Sequence, residues 1–178
     1  MTVVVRESSE TRIRIELGTA AESVIATTEP FLDHMLTALA RYSGIAMQIE
    51  ATGDLRHHLI EDVAIALGVA VATHTPATCA RYGERTIPMD DALVQVVIDM
   101  GGRPWYEGPL PSRMYDHFFR SFADNARATV HVRVLRGSDR HHIVEAAFKA
   151  LGLALRDAMA TTSAVFSTKG AVRLEVTP

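Results

Sequence analysis

The sequence predicts a mixed α/β (α+β) fold made of two similar half-domains, each a small mixed sheet with two helices on one face. Three observations predict it. Arg56-His57-His58-Leu59-Ile60-Glu61 recurs as Arg140-His141-His142-Ile143-Val144-Glu145, 84 residues later. The match extends outwards: Leu67-Gly68 answers Leu151-Gly152, Ala70 answers Ala154, and Asp33-His34 answers Asp116-His117 at a spacing of 83. Within each copy the apolar pattern passes from alternation to helical spacing in the same order, as strands followed by helices require. The repeat divides the chain into halves of about 1–83 and 84–178 within a single domain spanning 1–178.

Each element has its own local reason. Thr11-Arg12-Ile13-Arg14-Ile15-Glu16-Leu17 alternates polar and apolar residues, a strand with one buried face. Gly18-Thr19 turns it, and the stretch from Ala21 to Ala26 is expected to return as its hairpin partner. Pro30 opens a helix in which Phe31, Met35, Leu36 and Leu39 recur at helical spacing, and Gly44 stops it. Ile45 to Glu50 is a strand ended by Gly53-Asp54, and a long helix runs from about Leu55 to Ala72, with Pro76 preventing its continuation. A loop from Thr73 to Glu84 leads into the second half. There Ala92 to Met100 forms a strand, Gly101-Gly102-Arg103-Pro104 turns, and Tyr115 to Ala126 is helical. Thr129 to Val134 alternates as a strand closed by Gly137, and the last helix runs from about Arg140 to Met159. Parallel neighbouring strands need crossovers, so both helices of a half belong on one face of its sheet.

Composition narrows the function. A chain of 178 residues can bury a sizeable core, and 48% hydrophobic with 22% charged residues is ordinary for a globular protein. The net charge of −3, with no basic run, gives no nucleic-acid footprint. One cysteine, Cys79, excludes an internal disulfide framework and fits a reducing cytoplasm. The N-terminal residues become charged too soon for a signal peptide, and no apolar run reaches the length of a membrane span.

The repeat concentrates metal-ligating side chains. Residues four apart share a helix face, so His57 with Glu61, and His141 with Glu145, can each grip one ion. Adjacent residues diverge by about 100° on a helix, so His57 and His58 serve different ions, as do His141 and His142. Adding His34 and His117 gives six imidazoles and two carboxylates, four protein ligands for each of two ions. An octahedral ion would keep two positions for water or substrate. Nitrogen and oxygen ligation without thiolate suits manganese, iron or zinc. A single His-His pair would be read as core or capping; two copies in register, each with a glutamate and an upstream Asp-His, point to metal. His74 and His131 have no counterparts and are read as structural.

These residues resemble the imidazoleglycerol-phosphate dehydratase family. The resemblance is carried by Phe31-Leu32-Asp33-His34-Met35, His57 to Asp62, Arg81-Tyr82-Gly83, Pro88-Met89-Asp90-Asp91-Ala92-Leu93, Gly102-Arg103-Pro104, His117-Phe118-Phe119, His141 to Ala150 and Ser167-Thr168-Lys169-Gly170. Leu55-Arg56 stands where the family usually has an Asp-Asp pair, and the terminal Ser-Thr-Lys-Gly lacks a preceding proline. The resemblance implies helices packed between two sheets, two manganese ions (Mn2+) per active site, and sites at subunit interfaces of a 24-subunit homo-oligomeric shell. It implies a hydro-lyase of histidine biosynthesis that converts imidazoleglycerol phosphate to imidazoleacetol phosphate and water. On this likeness Glu10 binds substrate or moves the proton, Glu61 and Glu145 act as metal-bound catalytic carboxylates, and Arg81, Arg103, Ser167, Thr168 and Lys169 hold the phosphate and substrate. Metal on both ring nitrogens would stabilise an imidazolate-like ring and make the departing proton acidic enough to remove. A dinuclear phosphoester hydrolase would share the metals but make a different product. A metal-storage shell would not need the arginine and Ser-Thr-Lys set.

Overall fold

The structure is a computed structural model and describes residues 1–18 and 22–163. Its first half contains strands β1 (Thr2–Glu7), β2 (Thr11–Leu17) and β3 (Val24–Ala26), helix α1 (Pro30–Ser43), β4 (Met47–Gly53) and α2 (Arg56–His74). The second repeats that order with β5 (Tyr82–Met89), β6 (Ala92–Asp99), β7 (Trp105–Glu107), α3 (Arg113–Ala126), β8 (Thr129–Arg136) and α4 (Arg140–Ala158). The sheets run β1-β2-β4-β3 and β5-β6-β8-β7, so the duplication extends to strand order.

In each sheet the first three strands of that order are antiparallel, and the short fourth pairs in parallel with its neighbour. This corrects the expected β2–β3 hairpin. The hairpin partner of β2 is β1, and β3 reaches β4 in parallel because α1 carries the chain across between them. Three strands went unpredicted: β1, β5 and β7. β5 contains Pro88, which an edge strand tolerates because one side of its ladder is unpaired. β7 has three residues, too few for alternation to show.

The helices lie between the sheets, and they pair across the halves. α2 packs on β1 and β2 of its own sheet and against α3 of the other half; α4 packs on β5 and β6 and against α1. Glycines set both crossings. A Cβ on Gly68 would stand 2.7 Å from the Phe122 carbonyl oxygen and 2.8 Å from the Ala126 nitrogen. On Gly152 it would stand 3.0 Å from the carbonyl oxygen of Leu39 and from the nitrogen of Ser43. The repeated Leu-Gly is therefore where one half's helix backbone touches the other's. One core results, with Ile13, Ile15, Leu36, Leu67, Val96, Phe118, Phe148 and Leu151 all fully buried in it.

Each crossing is parallel, since His34 and His141 meet at the starts of α1 and α4 while Ser43 and Gly152 meet further along. The two helix pairs also begin at the same end of the molecule. Arg56 Nε pairs with Glu29 Oε2 at 2.9 Å, and the Phe31 and Tyr115 rings meet edge to face at 5.2 Å.

His74, the last residue of α2, packs its ring against Gly18 and lies 3.4 Å from Thr2 Oγ1, so it fills a gap to the first sheet. Burial lowers its pKa. His131 is exposed on β8. Among the described residues no helix is long and apolar enough to cross a membrane.

Candidate metal centre

The first turns of the four helices carry the site. Pro30 starts α1, where the donor-free nitrogen costs nothing. Asp139 caps α4, accepting from the backbone N–H of His141 at 2.7 Å and of His142 at 3.3 Å. The aspartates of the repeated Asp-His are structural. Asp33 accepts from Thr27 N at 2.8 Å and Thr27 Oγ1 at 2.5 Å, and Asp116 from Tyr106 Oη at 2.6 Å and Leu110 N at 2.9 Å. Each ties its helix to the connection beside it and so sets the rotation that aims the next residue, His34 or His117, at the paired helix.

Two triads result, and each spans both halves. His34 of α1 joins His141 and Glu145 of α4; His117 of α3 joins His57 and Glu61 of α2. Within each triad the candidate ligand atoms all lie within 4.8 Å of one another. Nε2 of His34 and of His141 stand 3.2 and 3.0 Å from the same oxygen, Glu145 Oε2. In the second triad the Nε2 atoms of His57 and His117 lie 3.3 and 3.1 Å from Glu61.

These donors fit a divalent ion. Nε2 of His117 is buried and lacks a hydrogen-bond partner despite its 3.1 Å approach to Glu61 Oε1, so the two atoms are close without being aligned on each other. Such an arrangement suits two donors directed at a common third point. Glu145 is 6% exposed, and its Oε1 takes Lys149 Nζ at 2.9 Å. Burial pushes the Glu145 carboxyl up, but Lys149 and His34 more than offset it and hold it below the ordinary glutamate value. The carboxylate is thus kept ionised, as a ligand must be.

His58 and His142 turn away from the triads. His58 Nδ1–H donates to Asp54 Oδ1 at 2.9 Å, with Glu10 Oε2 at 3.6 Å. His142 Nδ1–H donates to Asp91 Oδ1 at 2.8 Å. These bonds raise both imidazoles above the ordinary histidine value. Asp91 is held well below the carboxylate range, first by the Ser138 backbone N–H and then by His142. Glu10 occupies the β1–β2 turn, as Asp91 occupies the β5–β6 turn.

Two of the expected phosphate residues, Arg81 and Arg103, lie elsewhere. The Arg81 backbone N–H donates to the carbonyl of Ala158 at the far end of α4. At 1.5 Å per residue that is about 25 Å along the helix from His141. Arg81 has φ of 74°, and its guanidinium meets Asp99 through two bonds of 2.6 and 2.9 Å. Arg103 is exposed in the β6–β7 turn, its carbonyl taking Thr129 Oγ1 at 3.0 Å, beside the C-terminal end of α3. Ser167, Thr168 and Lys169 lie outside the described residues.

Sequence reasoning missed Asp54, Asp91 and Lys149. Lys149 could have been found, four residues from Glu145 on one helix face. Asp91 could not, because 51 residues separate it from His142 and only the β5–β6 turn brings them together.

Comparison with known proteins places the chain among its relatives. The sequence profile described as imidazoleglycerol-phosphate dehydratase matches residues 27–155. The chain is similar to the imidazoleglycerol-phosphate dehydratase of Pyrococcus furiosus, 45% identical over 174 residues that cover 93% of this chain and 98% of the relative. It is similar to that of Cutibacterium acnes, 44% identical, covering 96% of this chain and 97% of the relative. A crystal structure of the Pyrococcus furiosus enzyme in complex with (S)-C348 superposes with a TM-score of 0.87 at 43% identity, covering 94% of this chain and 99% of that one.

Proposed function

The chain belongs to the imidazoleglycerol-phosphate dehydratase family, hydro-lyases of histidine biosynthesis, and from that premise we propose that it dehydrates imidazoleglycerol phosphate using two manganese ions per active site. The product would be imidazoleacetol phosphate. The observation that carries this reading is the pair of histidine–histidine–glutamate triads, each built from both halves. His34, His141 and Glu145 would hold one ion, and His57, Glu61 and His117 the other. His58 and His142 of neighbouring copies would bring each ion to four protein ligands. When bound there, the ions supply Lewis-acid withdrawal of charge from the ring nitrogens of the substrate.

The other work falls to the chain's own side chains. Glu10, 3.6 Å from Nδ1 of His58, stands beside an outward-facing ligand and is assigned to bind substrate and move the proton. Arg81, Arg103, Ser167, Thr168 and Lys169 are assigned to the substrate and its phosphate. Arginine offers phosphate a planar fork and lysine a point charge. The length of α4 between His141 and Arg81 supports an active site shared between copies, because one chain cannot bring both to one small substrate. The same distance supports the homo-oligomer, a 24-subunit shell with metal at its interfaces. Residues 1–178 are taken as one dehydratase domain of two half-repeats, working in the cytoplasm.

The test is formation of imidazoleacetol phosphate by protein stripped with a chelator and then resupplied with manganese. Activity should vanish on stripping and return as about two ions per chain are restored. Turnover by fully stripped protein would refute the metal assignment, and no turnover in either state would refute the reaction.

A further inference from the structure

The two histidines outside the triads are held by different devices. Asp91 gives Oδ1 to His142 Nδ1–H at 2.8 Å, and its Oδ2 accepts from Ser138 N at 2.7 Å, Asp139 N at 3.1 Å and Ser138 Oγ at 3.2 Å. The carboxylate is thus pinned by three donors on one oxygen while the other serves the imidazole. Asp54 uses a single oxygen for both tasks. Its Oδ1 accepts from Leu55 N at 2.6 Å and from His58 Nδ1–H at 2.9 Å, and all three residues belong to one local turn. Glu10, the first half's counterpart of Asp91, stands 3.6 Å from His58 Nδ1, outside hydrogen-bond reach.

A carboxylate on Nδ1 fixes the tautomer that leaves Nε2 as the metal donor, and it orients the ring. We infer that Asp91 and Asp54 are positioning residues that present Nε2 of His142 and of His58 to a neighbouring copy's ion, and that the ion taking His142 is held more tightly than the ion taking His58. The inference deepens the two-ion reading above and rests on it. Both rings are accessible for this, with side chains 30% and 29% exposed. Asp90 adds to the difference: its Oδ2 lies 3.3 Å from Nε2 of His142 and places negative charge where that ion would sit.

The experiment is stepwise manganese loading of the stripped full-length protein, with free ion followed by electron paramagnetic resonance and particle size by light scattering. Wild-type protein should load in two stages. Asp91→Ala should weaken the tighter stage roughly 10- to 100-fold, the usual effect of losing such a partner. Asp91→Asn keeps an oxygen for Nδ1–H and should recover part of that loss. Asp54→Ala should weaken only the looser stage, by less than about tenfold. Asp139→Ala unties the α4 cap without touching either ring, so it should lower the melting temperature and leave both stages in place. Loading by Asp91→Ala as in wild type would overturn the inference. So would an equal loss in Asp54→Ala, or the same loss in Asp139→Ala, which would make Asp91 a stabiliser of the loop. Wild-type protein that takes up no manganese would instead overturn the two-ion reading, so the two failures are distinguishable.

Discussion

Single side chains in this protein do separable jobs. Asp33 and Asp116 precede the repeated histidines, and their oxygens are spent on Thr27 and on Tyr106 and Leu110, so their work is to aim His34 and His117. Glu61 and Glu145 each face two imidazoles. Variants should separate holding metal from holding phosphate. His142→Ala removes a proposed metal ligand and should abolish turnover and weaken assembly together. Lys169→Ala should leave metal content and particle size unchanged. A charge-assisted contact to phosphate contributes about 1.5–3 kcal/mol, so its loss should weaken substrate affinity roughly 10- to 100-fold. Steady-state kinetics on both variants, beside metal analysis and light scattering, decides this. If Lys169→Ala breaks up the particle, the Ser167-Thr168-Lys169 segment is structural and its phosphate assignment is wrong.

At the scale of elements, the cross-half pairing of α2 with α3 and of α4 with α1 matters most, because each triad takes one ligand from one helix of a pair and two from the other. Gly68 and Gly152 let the backbones approach. Alanine is the better helix former by about 1 kcal/mol, so in an isolated helix Gly68→Ala would stabilise. Here the new methyl meets the Phe122 carbonyl at 2.7 Å and the Ala126 nitrogen at 2.8 Å, backbone atoms that can move only with the whole of α3. Overpacking of this kind costs about 1–3 kcal/mol, so the net effect should be destabilising. The melting temperature of metal-free Gly68→Ala should fall by a few degrees, at about 2–4 °C per kcal/mol for a domain of this size. Manganese affinity at the His57–Glu61–His117 triad should fall with it, since α3 carries His117. A variant as stable as wild type would show that the crossing has room to spare.

For the whole molecule, the distance along the helix axis between the triads and Arg81 is decisive for the proposed site. The four helices start at the end that carries both triads, and Arg81 lies at the opposite end, hydrogen-bonded to Ala158. A site that needs both ends must be shared between copies. Two inactive variants should therefore rescue each other. Protein carrying His142→Ala and protein carrying Arg103→Ala, stripped of metal, mixed and reassembled with manganese, should regain part of the wild-type activity, since some sites then receive both intact ends. Each variant treated alone should stay inactive. Light scattering should show smaller particles on stripping and regrowth on manganese addition, because the proposed ions, tied between chains, would link assembly to metal. Mixtures as inactive as their components would place Arg103 and His142 in different sites.

Much of this was legible in the chain because it is written locally. The repeat of Arg-His-His-x-x-Glu at 84 residues identified the duplication, and spacing of four on a helix predicted that His57 groups with Glu61, and His141 with Glu145. Sequence pattern found β2, β4, β6 and β8, the strands inside their sheets, whereas β1 escaped because Val3 and Val5 are apolar on its exposed face, and β7 because it is three residues long. Only the tertiary structure decided which copy's histidine joins which glutamate. His34 reaches Glu145, 111 residues away, because α1 lies against α4, and no local propensity encodes that pairing. The same holds for Asp91 on His142 and for the placing of Arg81 at the far end of α4. Periodicity shows which face of a helix is buried; the packing of a shared core determines what that face meets.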